Sequence, residues 1–184
     1  MSEVGVGVVV DSTVLIYLSK IDRLSLLDES FSEVVVPEAV HDEVVVEGLE
    51  HGYSDALAVD EAEFLYVEEA TEATEATEER VQKLRSSANL GRGECEAIAV
   101  ALDETREDVD YFLSDDRSAR KTAESLGVEV GGTIYVLLRS LKRDVISLGK
   151  YEKSLERLAD TDFRMRASLY RRAVEEGRRL SEGS

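Results

Sequence analysis

Residues 4–18 read VGVGVVVDSTVLIYL. The first seven form a nearly unbroken apolar run, which is typical of a strand buried on both faces of a parallel sheet. Asp11 and Ser12 are residue types that begin helices, and Val14, Leu15 and Leu18 follow at helical spacing. The stretch therefore predicts a strand that passes directly into a helix, with Asp11 at the carboxyl end of the strand.

The same alternation continues through the first 140 residues. Further apolar runs predict strands at residues 34–36, 64–67, 111–113 and 128–130. Helices are predicted between them, including one that Pro37 begins and that runs to about Val46. Residues 70–79 hold an ATE repeat, which indicates a solvated loop leading into a helix. Alternating strands and helices predict a three-layer α/β/α sandwich around a central parallel sheet.

The C-terminal part of the chain differs in charge from the rest. Residues 139–184 carry 12 basic and 8 acidic side chains, although the whole chain has a net charge of -18. We predict two basic helices here, at residues 149–159 and 164–179. We assign residues 1–145 to one domain and residues 146–184 to a helical extension packed on it. The extension is the natural place for contact with a polyanion, or else a helical surface crossed by salt bridges.

The overall acidity has a bearing on possible substrates. A protein with 40 acidic and 22 basic residues repels nucleic acid unless the charge is screened or bridged. Sixteen of the basic residues are Arg and six are Lys, and an acidic, lysine-poor composition is typical of halophilic proteins. Salt near 1 M shortens the range of repulsion to ~3 Å. The acidity therefore does not exclude an RNA substrate.

The cysteine content and the apolar segments of the sequence limit the kinds of site and the location that we expect. Cys95 is the single cysteine, so neither an internal disulfide nor a cysteine-based zinc cluster is expected. The N-terminus does not resemble a signal peptide, and no apolar run approaches the ~20 residues of a membrane helix. The sequence predicts a cytoplasmic protein without a membrane segment.

Two carboxylate positions follow predicted strands. Asp11 comes directly after the first strand, and Asp115 and Asp116 come after the fourth. Ligands of open α/β sheets bind beyond the carboxyl ends of the strands, so these side chains are expected at one edge. Each Asp taken singly also suits a helix N-cap.

Two further carboxylates lie on helix faces. Glu94 shares a face with the apolar residues Ile98 and Ala101, and Glu43 shares one with Val40. A glutamate is seldom buried without a partner, because an unpaired buried charge costs several kcal/mol. The alternatives are a first-turn carboxylate favoured by the helix dipole for Glu94 and a solvated helix end for Glu43.

Together these residues predict a metal site. Carboxylates gathered in one place repel one another unless a cation lies between them. The two histidines, His41 and His51, fall in polar surroundings and form no competing constellation. An all-oxygen site selects Mg²⁺ or Mn²⁺ over zinc, and such ions bind substrate phosphate and activate water.

The motifs that carry these residues resemble those of a known family. In chain order they are VVVDSTVLIYL (8–18), VPEAVHDEV (36–44), GRGECEAIAVAL (91–102) and FLSDDRSARKTAESLGV (112–128). They are similar to PIN-domain proteins. GGTIYVLLR (131–139) and LADTDFRMRASLYRRAVEEG (158–177) resemble a toxin-type prokaryotic subgroup with a C-terminal extension.

The resemblance implies a fold, an activity and roles for particular residues. PIN domains are α/β/α sandwiches and typically Mg²⁺- or Mn²⁺-dependent endoribonucleases. By position, the resemblance implies metal or catalytic roles for Asp11, Glu43, Glu94 and Asp115, with Asp116 as a second ligand or the true one of the pair. Ser12 is similar to a hydroxyl position that hydrogen-bonds a metal ligand or a bound water.

From this resemblance we form a hypothesis of mechanism. Asp11, Glu94 and Asp115 hold one or two ions, and Glu43 orients or deprotonates the attacking water. In-line attack on phosphorus leaves a 5′-phosphate and a 3′-hydroxyl. The cations that follow the fourth strand are candidates to bind flanking phosphates, or else they form an ordinary charged helix face: Arg117, Arg120 and Lys121.

Many family members are toxins neutralised by a small antitoxin, and members often pair, so the resemblance also implies an antitoxin and a homodimer.

Two other classes of protein compete with this interpretation. A haloacid-dehalogenase-like phosphohydrolase also has an Asp after its first strand, but it needs a second Asp two residues later, where this chain has Thr13. That class also gives Glu94 no function. A catalytically silent PIN-fold binding module is the second alternative. It would bind metal without cleaving RNA.

Overall fold

The computed structural model describes residues 5–69, 74–104, 106 and 109–183. Five strands in this part of the chain form one sheet, in the order β3-β2-β1-β4-β5, and every neighbouring pair is parallel. The strands are β1 (Gly7–Val10), β2 (Glu33–Pro37), β3 (Tyr66–Glu68), β4 (Val109–Leu113) and β5 (Glu129–Gly131). The parallel sheet with helices on both faces confirms the predicted fold class. Residue 4 of the first predicted strand and residues 70–73 of the predicted loop lie outside the described residues.

Helices connect the strands and close the chain. The helices before β4 are α1 (Ser12–Lys20), α2 (Leu26–Ser30), α3 (Glu38–His41), α4 (Glu47–Glu50), α5 (Ser54–Asp60), α6 (Glu75–Ser87) and α7 (Arg92–Ala101). Those after β4 are α8 (Arg117–Ser125), α9 (Thr133–Lys142), α10 (Leu148–Ala159) and α11 (Ala167–Glu182).

Alternate residues of β1 face the two sides of the sheet. Val8 and Val10 are buried in one hydrophobic cluster, together with apolar residues of α1, α2, α9 and α10. Val9 is buried on the other side with Phe112, and with apolar residues of α7 and α8. Because both faces of β1 are covered, its near-continuous apolar sequence is explained by burial on two sides.

The segment after β2 differs from the single helix expected between Pro37 and Val46. A π-helical turn, Asp42–Val46, lies between α3 and α4. This wider turn allows both Val44 and Val45 to be buried in the hydrophobic cluster that also contains Val40. Three consecutive β-branched valines also crowd a regular α-helix, which favours the change.

The C-terminal helices pack on α9 and continue the first hydrophobic cluster. Tyr151, Leu155 and Leu158 of α10 are fully buried, and the Tyr151 hydroxyl donates a hydrogen bond of 2.8 Å to the carbonyl of Ala173 in α11. A side chain at Gly177 would overlap the Tyr151 ring, so glycine allows the close approach of the two helices.

Across the described residues, none of the helices is both long enough and apolar enough to cross a membrane.

Candidate active site

Asp11 lies at the carboxyl end of β1, as predicted, and is the N-cap of α1. Its side chain is 1% exposed. The Oδ1 atom accepts hydrogen bonds from the backbone N–H of Thr13 (3.0 Å) and from the Thr13 hydroxyl (2.6 Å). The Oδ2 atom accepts from the hydroxyl of Ser114. Burial raises the pKa of Asp11, the charge of Asp115 adds to the shift and the hydrogen bonds oppose it, which leaves this pKa at about 7.

Asp115 and Asp116 follow β4, and they have different partners. Asp115 binds the start of α9, where the backbone N–H of Thr133 donates to Oδ1 (3.0 Å) and the Thr133 hydroxyl to Oδ2 (2.6 Å). Burial raises the pKa of Asp115, whereas Thr133 and Arg120 lower it. Asp116 is the N-cap of α8, where its Oδ1 accepts from the backbone N–H of Ser118 at 2.7 Å.

Two hydroxyls join the ends of β1 and β4. The Ser114 hydroxyl donates to Asp11 and accepts from the backbone N–H of Asp116 at 3.0 Å. The Thr13 hydroxyl also donates to Asp11 and accepts from the backbone N–H of Asp115 at 2.9 Å. Sequence reasoning did not single out Thr13, Ser114 or Thr133 as supporting groups. A hydroxyl residue within two positions of a strand-end Asp is the signal that was available for Thr13 and Ser114, whereas no such signal marks Thr133, which lies 18 positions from Asp115.

Glu43 lies on the π-helical turn and is exposed to solvent. The Ser12 hydroxyl donates a hydrogen bond of 3.2 Å to its Oε1 atom, so the predicted supporting hydroxyl faces Glu43 and not Asp11. A Cβ atom at Gly93 would lie 3.4 Å from Glu43 Oε2 and 2.9 Å from Val40 Cγ2. Glycine at position 93 therefore lets the start of α7 approach this turn.

Glu94 occupies the first turn of α7 and is half-buried. Its Oε2 atom accepts a hydrogen bond of 2.8 Å from the backbone N–H of the N-cap residue, Gly91. Burial raises the pKa of Glu94, and the charges of Asp116 and Glu43 raise it further. Glu94 thus lies within electrostatic range of both, and it serves the helix start as well, as the first-turn alternative proposed.

The acidic side chains differ in exposure. Asp11 is buried, Glu94, Asp115 and Asp116 are half-buried, and Glu43 is exposed. Among the described residues, no three Asp, Glu, His or Cys side chains lie close enough to hold one metal ion. Mutual repulsion and the separate hydroxyl and backbone donors account for this spacing.

The donor set nevertheless fits a hard divalent cation. All the side chains at this edge offer oxygen atoms, which Mg²⁺ and Mn²⁺ prefer. Within the described ranges, Glu94 Oε1, Asp116 Oδ2 and Glu43 Oε2 receive no hydrogen bond. These oxygens keep their lone pairs for a ligand.

Comparison with known families agrees with this geometry. The family model DUF3368, which describes a PIN domain, matches residues 7–178. The chain belongs to the PIN-domain family. PIN domains are generally nucleases, which are hydrolases that act on nucleic acid. No curated protein shows significant similarity to the chain.

Thr13 lies at the position where a haloacid dehalogenase would have its second Asp. In this chain the Thr13 hydroxyl instead donates a hydrogen bond that holds Asp11 in place.

A cavity of about 200 Å³ opens beside the acidic edge of the PIN domain. It is lined by Asp115, Arg117, Arg120, Lys121 and Glu124. The three cations predicted to bind phosphate therefore lie together with a half-buried carboxylate, Asp115, at the start of α8. Arg120 is close enough to lower the pKa of Asp115.

A larger cavity of about 480 Å³ lies along α6 and α7 of the PIN domain and includes none of the predicted site residues. Arg92 in its wall is paired with Glu96 at 2.7 Å, and Glu68 is paired with Arg106 at 2.7 Å. The smaller cavity is the candidate site, because Asp115, whose pKa burial raises, lines it together with three cations.

Proposed function

We propose that this PIN domain is a divalent-metal-dependent endoribonuclease that hydrolyses RNA phosphodiester bonds in the cytoplasm. The observation that carries the proposal is the pair of carboxylates, Asp11 and Asp115, at the ends of two adjacent strands. Asp11 is buried and Asp115 is half-buried, and burial opposes the charge of both. Neighbouring acids withdrawn from solvent destabilise a fold unless a cation binds there, so cation binding would explain why the site contains them.

The residues that would hold one or two cations between them are Asp11, Glu94, Asp115 and Asp116, whose side chains a bound cation would draw closer together. Mg²⁺ or Mn²⁺, when bound, neutralises charge on the phosphate and lowers the pKa of water. Ser114 and Thr13 hold the Asp11 carboxylate in one orientation, and Thr133 does the same for Asp115. Oriented ligands of this kind favour binding, because little side-chain freedom is lost.

Glu43 is the candidate to orient the attacking water and accept its proton. Ser12 occupies its Oε1 atom, which leaves Oε2 for the water. The water oxygen forms a bond to phosphorus as the bond to the 3′ oxygen breaks. The products are a 5′-phosphate and a 3′-hydroxyl.

Arg117, Arg120 and Lys121 are the candidates to bind phosphates next to the cleaved one. Guanidinium groups bind phosphate oxygens in pairs, and all three side chains line the cavity beside Asp115. Their charge also offsets the repulsion between RNA and an acidic protein.

The test is Asp11→Asn, compared with Asp28→Asn on the exposed surface of α2. We expect Asp11→Asn to lose Mn²⁺-dependent cleavage of a labelled RNA while its circular dichroism spectrum stays native. Asp28→Asn should cleave like the parent. An Asp11→Asn variant as active as the parent would overturn the assignment. Metal binding by a parent that cleaves no RNA would favour the silent binding module.

The family resemblance also leads us to propose a toxin role, with a small antitoxin as partner and a homodimer as the assembly. Expression of the parent should then stop growth of the host, and Asp11→Asn should not. Co-expression of the neighbouring short reading frame should restore growth. Normal growth with active parent enzyme would indicate a housekeeping nuclease.

A further inference from the structure

The segment that joins α10 to α11, residues 160–166, packs against α1. Lys20 at the end of α1 forms an ion pair of 2.7 Å with Asp162. The Phe163 ring meets the Tyr17 ring edge-on, with 4.9 Å between centroids. These two contacts fix the joining segment on the helix that begins directly after Asp11.

Tyr17 lies between this segment and the acidic edge. Side chains of a helix lean toward its N-terminus, so the Tyr17 ring leans toward the end of β1. Burial raises the pKa of Tyr17, the charges of Asp162 and Asp115 raise it further, and Lys20 and Arg164 lower it. The charges of both Arg164 and Asp115 reach the Tyr17 hydroxyl, so Tyr17 is within electrostatic range of the joining segment and of the acidic edge.

Arg164 is exposed, and it forms no ion pair with any residue that the structure describes. In the extension, Arg157 is paired with Asp22, Arg178 with Glu152, and Arg179 with Glu176. Arg166, Arg171 and Arg172, like Arg164, form no ion pair with a described residue, and Arg164 differs from them in directly following Phe163, which contacts Tyr17. In a chain with 40 acidic residues, an arginine without such a partner keeps its guanidinium available for an external anion.

The joining segment and α8 lie on opposite faces of the sheet. Phe163 and Tyr17 belong to the hydrophobic cluster on the α1 side, and Ala119 and Ala123 of α8 belong to the cluster on the other side. The carboxyl edge of β1 and β4 lies between them. A polyanion that crosses this edge would meet Arg117, Arg120 and Lys121 on one side and Arg164 on the other.

We propose that Arg164, held beside Tyr17 by the Phe163 and Asp162 contacts, binds an RNA backbone phosphate and forms the second wall of the substrate groove. The inference rests on the proposed ribonuclease function, and it gives the C-terminal extension a direct part in substrate binding. Cations on both sides of the cleavage site draw RNA across the carboxylates of a protein that otherwise repels it.

The test compares Arg164→Gln with Arg172→Gln. Arg172 is exposed on α11, and its substitution makes the same change in charge. Binding of a labelled single-stranded RNA is measured with Mg²⁺ in the Asp11→Asn background at several salt concentrations. Cleavage by each single variant is measured in parallel. Loss of one phosphate contact should weaken binding about 5- to 10-fold and reduce the slope of log K against log salt by about 0.7.

We expect Arg164→Gln to show this loss as a raised KM with an unchanged kcat, and Arg172→Gln to match the parent. Arg164→Lys should keep the salt slope and recover part of the affinity, because it keeps the charge without the guanidinium geometry. If Arg164→Gln binds and cleaves like an active parent, or if Arg172→Gln is equally impaired, the inference is wrong and the proposed function stands. A parent that neither binds nor cleaves RNA would overturn both.

Discussion

The Ser114 hydroxyl donates a hydrogen bond to the carboxylate of Asp11, across the boundary between β4 and β1. The same hydroxyl accepts from the backbone N–H of Asp116, so a single oxygen orients one candidate metal ligand and the start of α8. Ser114 itself is fully buried. A small buried hydroxyl thus determines how the acidic edge is organised.

Ser114→Ala should destabilise the protein by about 1–3 kcal/mol, since it leaves a buried carboxylate oxygen without its donor. The hydrogen bond lowers the pKa of Asp11, so its loss should raise that pKa further and reduce cleavage at neutral pH. Urea unfolding and a pH–rate profile measure the two effects. Ser25→Ala, at an exposed serine of the α2 N-terminus, should change neither. An unaltered pH profile in Ser114→Ala would argue against the link to Asp11.

The pKa of Asp11 predicts a particular dependence of stability on pH. The value is raised from 3.8 to about 7 on folding, so the folded state binds this proton more tightly than the unfolded chain. The stability that Asp11 contributes is therefore full below about pH 4 and falls as the pH rises to about 7, by at most about 1.4 kcal/mol per pH unit.

Asp11→Asn removes this titration while the other carboxylates remain. In buffer with a chelator, the parent should lose stability relative to Asp11→Asn between about pH 4 and pH 7, as measured by urea unfolding. Saturating Mg²⁺ should stabilise the parent and remove the difference in stability between the two proteins, because a bound cation favours the charged carboxylate. A constant difference between the two proteins across this range would contradict the raised pKa.

Gly93→Ala tests the close approach of α7 to the turn that carries Glu43. The added Cβ would lie 2.9 Å from Val40 Cγ2, so the two elements must separate. Overpacking of this kind costs about 1–3 kcal/mol, against a gain of up to about 1 kcal/mol in helix propensity. We expect a net loss of stability and a larger loss of kcat. Gly149→Ala is the matched control, because its Cβ would meet nothing within 4 Å, and it should be neutral or stabilising.

Glu43→Gln separates a proton acceptor from a metal ligand. If Glu43 accepts a proton from water, kcat should fall about 10²- to 10⁴-fold. The rise in melting temperature on addition of Mn²⁺ should remain near that of the parent. Glu47→Gln, one turn further along on an exposed position, should have full activity. Loss of the Mn²⁺-induced rise in Glu43→Gln would instead make Glu43 a ligand.

The local pattern of apolar and polar residues was enough to predict much of the fold. The apolar run before Asp11 and the alternation after it predicted the parallel sheet, and Asp11 and Asp115 lie at strand ends as expected. Contacts between distant segments could not be predicted, because nothing in the sequence indicates that β4 pairs with β1 or that Asp115 accepts hydrogen bonds from Thr133. The π-helical turn was also missed, since it depends on how Val44 and Val45 share the core with Val40 while Val46 stays exposed. These long-range contacts decide which carboxylates are neighbours.

The pairing of Ser114 with Asp11 also bears on when the site is completed during synthesis. The two residues are 103 positions apart, and Asp115 needs Thr133 a further 18 positions along. A chain emerging from the ribosome exposes Asp11 well before Ser114 and Asp115 have left the exit tunnel. Contacts of such long sequence separation form late in folding. If the chain is the ribonuclease proposed above, this order of synthesis would keep it inactive beside the messenger and ribosomal RNA around it until most of the chain has been made.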